Sequence, residues 1–469
     1  MTTPGRGLSR ELGLWDAALI TIGSVLGGGI FITTGDMARS LPHAGLILLV
    51  WLVGGLLTLA GALTYAELGA MFPRAGGQYE FLKETYGRLW GFLFGWAAFF
   101  VIMTGGIAAL AVSFGEYLGA FIPFFSTGHV LFAIPLGTST QWMVNGGQLA
   151  GALVIVFLTF INYLGVREGA GLQNLATIAK VGSLLSLGVL GLLMTPNVSA
   201  ASQIAAPLPE GSRLIAAFGI GMMAALWSYD GWYAISNLAG EMRNPARDLP
   251  LGIVAGTVAI TLLYLLVNLA YVRTLTVEEM AATSRIGETA AQSLFGPLGG
   301  RLLTAAVLVS IFGCISATVL WSARIYLPMA QDGSFFPSLA RIHPRYATPA
   351  ACLVAQGVWA TLLTFSGSYE QLYTYVIFAV VFFHAATGTA VFVLRRTRPD
   401  APRPYSTWGY PWVPAIFVLS SLGLCANTLI ERPVESLVGV LFLVLGLPAY
   451  AFWQRRAKKT QGPGAPAVF

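Results

Sequence analysis

Long apolar runs separated by short polar segments are the dominant pattern along this chain. Most runs reach roughly 20 residues, which is the length of helix that crosses the hydrocarbon core of a bilayer. The pattern therefore predicts an all-α membrane protein with about twelve transmembrane helices. They are predicted at about 14–38, 44–71, 90–122, 147–165, 172–195, 212–240, 250–274, 297–329, 349–366, 371–396, 411–430 and 434–454.

The first run is interrupted by glycines at its middle. Gly23 is followed by three adjacent glycines at 27–29, and glycine is a poor helix former. Backbone groups released from a helix at membrane depth must find other partners, so such breaks persist where they line a cavity. We expect residues 23–30 to bind a small charged molecule. The alternative is that the glycines only let neighbouring helices approach closely.

A second run, 212–240, is interrupted by Ser228, Tyr229, Asp230 and Gly231. Paired interruptions in two halves of a chain are typical of a transporter's central site. The N-terminal end of a half-helix suits a carboxylate and the C-terminal end suits an ammonium group. An α-amino acid carries both groups on one carbon, so it would fit between such ends.

Two side chains beside the second break have open interpretations. Trp227 is placed to cover the site as a gate, although ordinary packing explains a tryptophan at this depth as well. Asp230 can meet a substrate ammonium group, or it can cap the half-helix that follows at Gly231.

Composition supports a membrane protein and limits its chemistry. The 469 residues are 56% hydrophobic and 10% charged, with mean hydropathy +0.72, whereas soluble domains carry about a quarter charged residues. The net charge of +6 is spread in short clusters between the apolar runs. Lipid headgroups explain these clusters, and no basic face for nucleic acid is present. The three cysteines lie inside apolar runs, so neither a disulfide framework nor a metal cluster is expected.

The distribution of Lys and Arg predicts the orientation. If the N-terminus is cytoplasmic, the inner segments hold 18 of these residues and the outer segments hold 6. This bias favours both termini inside. Residues 1–13 are then a cytoplasmic segment, followed by a retained first helix, and residues 455–469 are a cytoplasmic tail.

Lys180 is an ionisable residue predicted to lie at membrane depth. It lies eight residues into its predicted span, and burying an ammonium group there costs at least a few kcal/mol. We expect it to face the bundle interior and donate to carbonyls freed at the first break, as a fixed cation where an ion-coupled transporter holds a metal ion. The alternative is a lysine that reaches the interface. His384, also within a span, is either a proton relay or, by preference, a histidine hydrogen-bonded to a neighbouring helix.

Signals of an enzyme are weak. The segment Gly219-Ile220-Gly221-Met222-Met223-Ala224 matches a dinucleotide-binding pattern, but it lies within an apolar run and no strand precedes it. The four histidines are scattered and no catalytic set is present. We therefore expect no enzyme activity and no cofactor.

Five motifs carry a resemblance to the amino acid–polyamine–organocation superfamily. Within it, the chain is most similar to the L-type amino acid transporters and their bacterial serine/threonine and alanine/serine/cysteine exchangers. The resemblance implies the five-plus-five inverted repeat of the leucine transporter, with repeats at 14–195 and 212–396, two additional helices at 411–454, and helices 1 and 6 unwound mid-membrane. The motifs are GSVLGGGIF at 23–31, YAELGAMFPRAGGQYEFLKETYG at 65–87, ALWSYDGW at 225–232, GEMRNPARDLP at 240–250 and ARIYLPMAQDG at 323–333.

The resemblance also implies roles for site residues. Trp227 matches an aromatic gate, and Lys180 matches a lysine that replaces the sodium ion of sodium-coupled relatives. Gly28 stands where many relatives have serine, so side-chain specificity cannot be carried over. The carboxylate is expected at Ser24, Gly27, Gly28 and Gly29, and the amino group at the carbonyls of Trp227, Ser228 and Asp230.

These features lead to one expected function and several alternatives. We expect a sodium-independent exchanger of small neutral amino acids that works by alternating access in a cell membrane, the inner membrane of a bacterium. No cysteine lies between residues 123 and 148, so no disulfide-linked heavy subunit is expected as a partner. Asp230 resembles the residue at this position in the bacterial exchangers and in the animal cystine/dibasic carrier. Cationic amino acids therefore remain possible substrates. Proton-coupled uptake through Lys180, polyamine transport and a transporter-like sensor also remain open.

Overall fold

In the computed structural model, the described residues are 12–74, 76–135, 141–164, 167–194, 213–346 and 348–460. Helices make up most of them. The predicted terminal segments 1–13 and 455–469 lie largely outside these ranges. The helices are α1 Leu14–Val25, α2 Thr33–Ser40, α3 Ala44–Met71, α4 Gln78–Tyr86, α5 Arg88–Ala97, α6 Met103–Leu118, α7 Gly146–Leu164, α8 Arg167–Leu193, α9 Arg213–Tyr229, α10 Ala234–Asn237, α11 Pro245–Thr274, α12 Val277–Ala282, α13 Ile286–Gln331, α14 Ala350–Thr364, α15 Tyr369–Thr397, α16 Trp412–Glu431 and α17 Pro433–Thr460.

The described part of the chain contains eight helices that are long and apolar enough to cross a membrane. Shorter apolar helices begin or end at the predicted breaks and bends, including Leu14–Val25 and Leu214–Tyr229. These helices confirm the multi-span helical fold. The total of twelve crossings and the inverted repeat remain predictions.

Small residues set the packing of α3 against its neighbouring helices. A Cβ added at Gly55 would lie 2.3 Å from Cγ2 of Thr261 on α11, and one added at Gly61 would lie 2.7 Å from the ring of Phe417 on α16. Close packing of this kind stabilises contacts between helices in lipid, where no hydrophobic driving force acts between them. The opposite face of α3 exposes Leu52 and Leu56, as expected for side chains that contact acyl chains.

Three local features refine the predicted spans. A five-residue π-type turn, Ala98–Ile102, joins α5 to α6 within the single predicted span. Gly296, with φ +73°, divides α13 into two helical parts and marks the start of the span predicted from residue 297. An antiparallel hairpin, Val130–Pro135 with Gln141–Asn145, connects α6 to α7 and was not predicted.

The polar segment between the second and third predicted spans forms α4 and packs against protein. Tyr79 and Phe81 are buried. Lys83 donates to Glu80 (2.6 Å) and to Asp332 at the end of α13 (2.9 Å). Burial lowers the pKa of Lys83, but these two carboxylates outweigh burial and raise it above its ordinary value.

Glu67 anchors the polar end of α3. Its carboxylate is 1% exposed and accepts two hydrogen bonds from Arg395, at 2.9 and 2.7 Å. The backbone N–H of Thr407 donates a third, at 2.8 Å. Glu67 therefore connects α3, α15 and the loop before α16.

We predict that Glu67→Ala lowers the stability of the purified protein by about 2–3 kcal/mol, since it leaves a partly buried guanidinium and an amide without their acceptor. Thermal unfolding in detergent measures the loss. The matched control is Glu84→Ala, because Glu84 pairs with exposed arginines at 3.3 Å and should contribute less than about 1 kcal/mol. Equal unfolding temperatures for the two variants would contradict the assignment.

Candidate functional site

The first predicted break is present in the structure. Helix α1 ends at Val25, a short 3₁₀ turn covers Gly29–Phe31, and α2 begins at Thr33. The N–H of Gly27 donates to Val25 O at 2.7 Å, where a continuous helix would pair it with Gly23 O. The carbonyl of Gly23 is thereby released from the helix.

Lack of space explains the glycines of this segment. A Cβ at Gly28 would lie 2.5 Å from Oγ of Ser113, and one at Gly29 would lie 2.6 Å from Oγ of Ser228. Both distances are too short for real carbon atoms. The glycines therefore let the broken backbone approach α6 and α9 closely, which is the packing role that the alternative interpretation gives them.

The second predicted break follows Tyr229. The N–H of Asp230 donates to Trp227 O at 3.1 Å, and Gly231 adopts φ +98°. Gly231 also needs its lack of a side chain, because a Cβ there would lie 2.7 Å from the carbonyl oxygen of Ser24. The next helix, α10, begins without a side-chain cap, but the Asp230 carboxylate accepts a hydrogen bond from the backbone N–H of Gly231, so both interpretations of Asp230 stay open.

Hydroxyl groups join the two breaks. Oγ1 of Thr33 and Oγ of Ser228 lie 2.7 Å apart. The hydroxyl of Tyr264, on α11, donates to Val25 O (3.3 Å) and to Ser228 O (3.0 Å). One side chain therefore contacts the released carbonyls of both broken helices.

Two further tyrosines donate hydrogen bonds to the turn that follows the first break. Tyr271 donates to Ile30 O at 3.3 Å, and Tyr117 donates to Phe31 O at 2.8 Å. The sequence analysis did not single out these tyrosines or Tyr264. The available signal is spacing, because Tyr264, Asn268 and Tyr271 lie at i, i+4 and i+7 on one face of an apolar helix.

Lys180 lies inside the bundle. Its side chain is 1% exposed, and Nζ donates to the freed carbonyl of Gly23 at 3.4 Å. The ammonium group is therefore positioned at the C-terminal end of α1, where unpaired carbonyls favour a positive charge.

Trp227 lies against two tyrosines of α15. Its Nε1 donates to the hydroxyl of Tyr369 at 2.7 Å, and its ring stacks on Tyr373 with centroids 5.8 Å apart and planes at 17°. Only 8% of Trp227 is exposed. An aromatic layer thus closes this side of the site.

A cavity of about 50 Å³ lies between the breaks. This is room on the order of four water molecules, so it favours a ligand with few heavy atoms. Oδ1 of Asp230 is buried there and has no hydrogen-bond partner among the described residues. The cavity is lined by six of the predicted site residues: Ser24, Gly27, Gly29, Trp227, Ser228 and Asp230. It is also lined by residues that were not predicted: Ile102, Met103, Gly106, Leu110, Cys314, Thr318 and Trp321. Gly28 lies in the same turn but does not line the cavity.

His384 lies among aromatic side chains. The ring is buried and packs against Tyr65, Trp232 and Tyr233. Its Nε2 atom has no hydrogen-bond partner in the part of the chain that the structure describes. The expected hydrogen bond to a neighbouring helix therefore does not involve Nε2, and the role of His384 stays a prediction.

A profile of amino acid permeases matches residues 12–450. The chain belongs to the amino acid permease family. The permease is 32% identical to the serine/threonine exchanger SteT of Bacillus subtilis, over 97% of this chain and 99% of the relative. It is 30% identical to the human b(0,+)-type amino acid transporter 1, over 94% of this chain and 88% of the relative. It is 28% identical to the human large neutral amino acids transporter small subunit 2, over 97% and 83%.

These comparisons confirm the predicted superfamily and the relation to L-type transporters. The matching proteins are transporters, which agrees with the expectation that the permease is not an enzyme. The roles of individual site residues remain predictions.

We predict that Gly28→Leu abolishes amino acid binding by the permease, because the new side chain must displace Ser113 and Ile311 and deform the turn. Equilibrium binding to the purified protein measures the loss, which we expect to exceed tenfold in affinity. Gly182→Ala is the control, since a Cβ at Gly182 meets nothing within 4 Å. Retained affinity in a folded Gly28→Leu protein would contradict the site.

We predict that Tyr264→Phe slows transport about tenfold, since it removes the donor shared by the two breaks, a change worth about 1–2 kcal/mol. Transport rate and binding affinity are measured separately in the same preparation. The matched control is Tyr326→Phe, which removes a buried hydroxyl that donates to Ala98 O at 3.3 Å, away from the breaks. Equal rates in both variants would refute a role for the bridge.

Proposed function

We propose that this permease is a sodium-independent exchanger that prefers small neutral amino acids and works by alternating access. The observation that carries the proposal is the small cavity between two broken helices, with the N–H groups and carbonyls of both breaks around it. These groups complement the carboxylate and ammonium of one α-amino acid. The named activity of the Bacillus relative, serine/threonine exchange, supports the same substrate class.

In this proposal the backbone does most of the recognition. The carboxylate lies against the turn of Ser24, Gly27, Gly28 and Gly29, and the ammonium group donates to the carbonyls of Trp227, Ser228 and Asp230. Trp227 acts as the gate, since its ring covers the cavity and its bonds to α15 can break and reform. The limited volume selects for a short side chain.

Lys180 supplies the charge that makes sodium unnecessary. Its ammonium group holds Gly23 O in every cycle, so the end of α1 stays ordered without a bound cation. Coupling to protons through Lys180 is the alternative mechanism.

We also propose that the permease lies in a cell membrane, the inner membrane of a bacterium, with both termini in the cytoplasm, and works without a disulfide-linked heavy subunit. One relative is named as a small subunit. The three cysteines of this chain, however, are all buried.

A second substrate class is favoured by Asp230. A buried carboxylate oxygen without a partner is costly, and a cationic group of the ligand would satisfy it. Lysine-like or arginine-like amino acids are therefore the second candidates, and their longer side chains need more room than the cavity of about 50 Å³ provides in this conformation.

Transport by purified protein in liposomes tests the function. We expect uptake of radiolabelled serine only into liposomes loaded with amino acid, with the same rate in sodium and choline and no response to an imposed pH gradient. Uptake into empty liposomes driven by the pH gradient would establish proton coupling instead. Competition by the twenty amino acids then ranks small neutral against cationic substrates.

We predict that Lys180→Ala keeps normal expression and reduces exchange at least tenfold, because Gly23 O loses its cationic partner. Ser183→Ala is the matched control, since its hydroxyl lies on the same helix and donates back to Lys180 O at 2.9 Å. Near-normal exchange in Lys180→Ala would remove the proposed role of this lysine.

A further inference from the structure

A small cavity of about 10 Å³ lies beside the central one, and we call it the side cavity. Residues of α3, α9, α15 and α16 line it, together with Asp230 and Trp232 from the second break. Asp230 also lines the central cavity. Its side chain therefore lies in the wall between the two cavities. The volume of the side cavity is about that needed to hold one water molecule.

Two polar atoms of residues that line the side cavity are buried without partners. Oδ1 of Asp230 and Nε2 of His384 each have no hydrogen-bond partner among the described residues. Such atoms are costly to bury away from water. One small molecule that both donates and accepts hydrogen bonds would satisfy the two atoms together.

Two hydroxyl groups complete the polar lining of the side cavity. Oγ1 of Thr58 donates to Gly54 O at 2.8 Å, and Oγ of Ser421 donates to Phe417 O at 2.7 Å. Because each hydroxyl hydrogen is already used, each oxygen is left as an acceptor. A buried water molecule needs two to four polar partners, and the side cavity offers four.

We propose that the side cavity binds one water molecule, through which His384 positions the carboxylate of Asp230. The water accepts from Nε2–H of His384 and donates one hydrogen to Oδ1 of Asp230. Its other hydrogen goes to the oxygen of Thr58 or Ser421. His384 does not line the central cavity, so it acts on that site only through Asp230.

The water has a consequence for substrate selectivity, which rests on the proposed function. A cationic ligand would satisfy Oδ1 of Asp230, but the water supplies a donor to the same atom. A small neutral amino acid can therefore bind without leaving this buried oxygen unpaired. Loss of the water should shift the preference of the site towards cationic substrates.

Equilibrium binding to the purified full-length protein tests the role of His384. The ligands are serine and 2,4-diaminobutyrate, a short amino acid with a cationic side chain. His384→Phe keeps an aromatic ring but removes both ring nitrogens. We expect the ratio of the two affinities to shift about tenfold towards 2,4-diaminobutyrate, since a charged acceptor loses its donor. An unchanged ratio in a folded His384→Phe protein would overturn the proposal.

His384→Gln is the conservative variant, because its amide can still donate a hydrogen bond towards the side cavity. We expect it to restore a ratio close to that of the wild type. The same shift in the Gln and Phe variants would assign the effect to packing and overturn the role of the hydrogen bond.

Thr304→Val is the matched control. It also removes a buried hydroxyl without a partner among the described residues, but Thr304 lines neither cavity. It should keep the wild-type ratio. Thermal unfolding checks that each variant is folded.

A high-resolution structure tests the water directly. We expect a density peak at hydrogen-bond distance, about 2.5–3.2 Å, from both Oδ1 of Asp230 and Nε2 of His384. The peak should be absent in His384→Phe. A wild-type structure without this peak would overturn the inference and leave the proposed function intact. A wild type that binds neither amino acid would overturn the proposed function, whereas the peak would still decide the water site.

Discussion

Hydrogen bonding of backbone groups away from water is the constraint on which this structure depends. A helix that stops inside the membrane releases carbonyls and N–H groups that lipid cannot satisfy. Here the hydroxyls of Tyr264, Tyr271 and Tyr117 lie within hydrogen-bond distance of the carbonyl oxygens of Val25, Ser228, Ile30 and Phe31. The breaks persist because neighbouring helices supply these donors, and the cavity between the breaks exists because the breaks persist.

The same constraint explains why the sequence predicts the positions of the breaks better than the contacts that hold them. Three adjacent glycines in an apolar run leave few structural options in lipid, so Gly27–Gly29 predicts a break without knowledge of any partner. Lys180 is similar, since a charge at this depth must lie near acceptors, and Gly23 O is where the structure places it.

Other features depend on contacts between distant segments, which local patterns do not contain. The hydroxyl of Tyr264 reaches Ser228 O across 36 positions of sequence, and tyrosine in an apolar helix gives no sign of its partner. Cys314 and Trp321 line the cavity because of how α13 crosses α1 and α10. The hairpin after α6 is short and largely exposed, so its strands lack the buried alternation that makes strands predictable.

The position of Tyr264 has a consequence for motion. A phenol carries a single hydrogen, yet two carbonyl oxygens lie within its reach, at 3.3 and 3.0 Å. The hydrogen bonds to one of these oxygens at any instant, so the hydroxyl has two hydrogen-bonded orientations. When another donor bonds to either oxygen, the hydrogen of Tyr264 is left for the other oxygen.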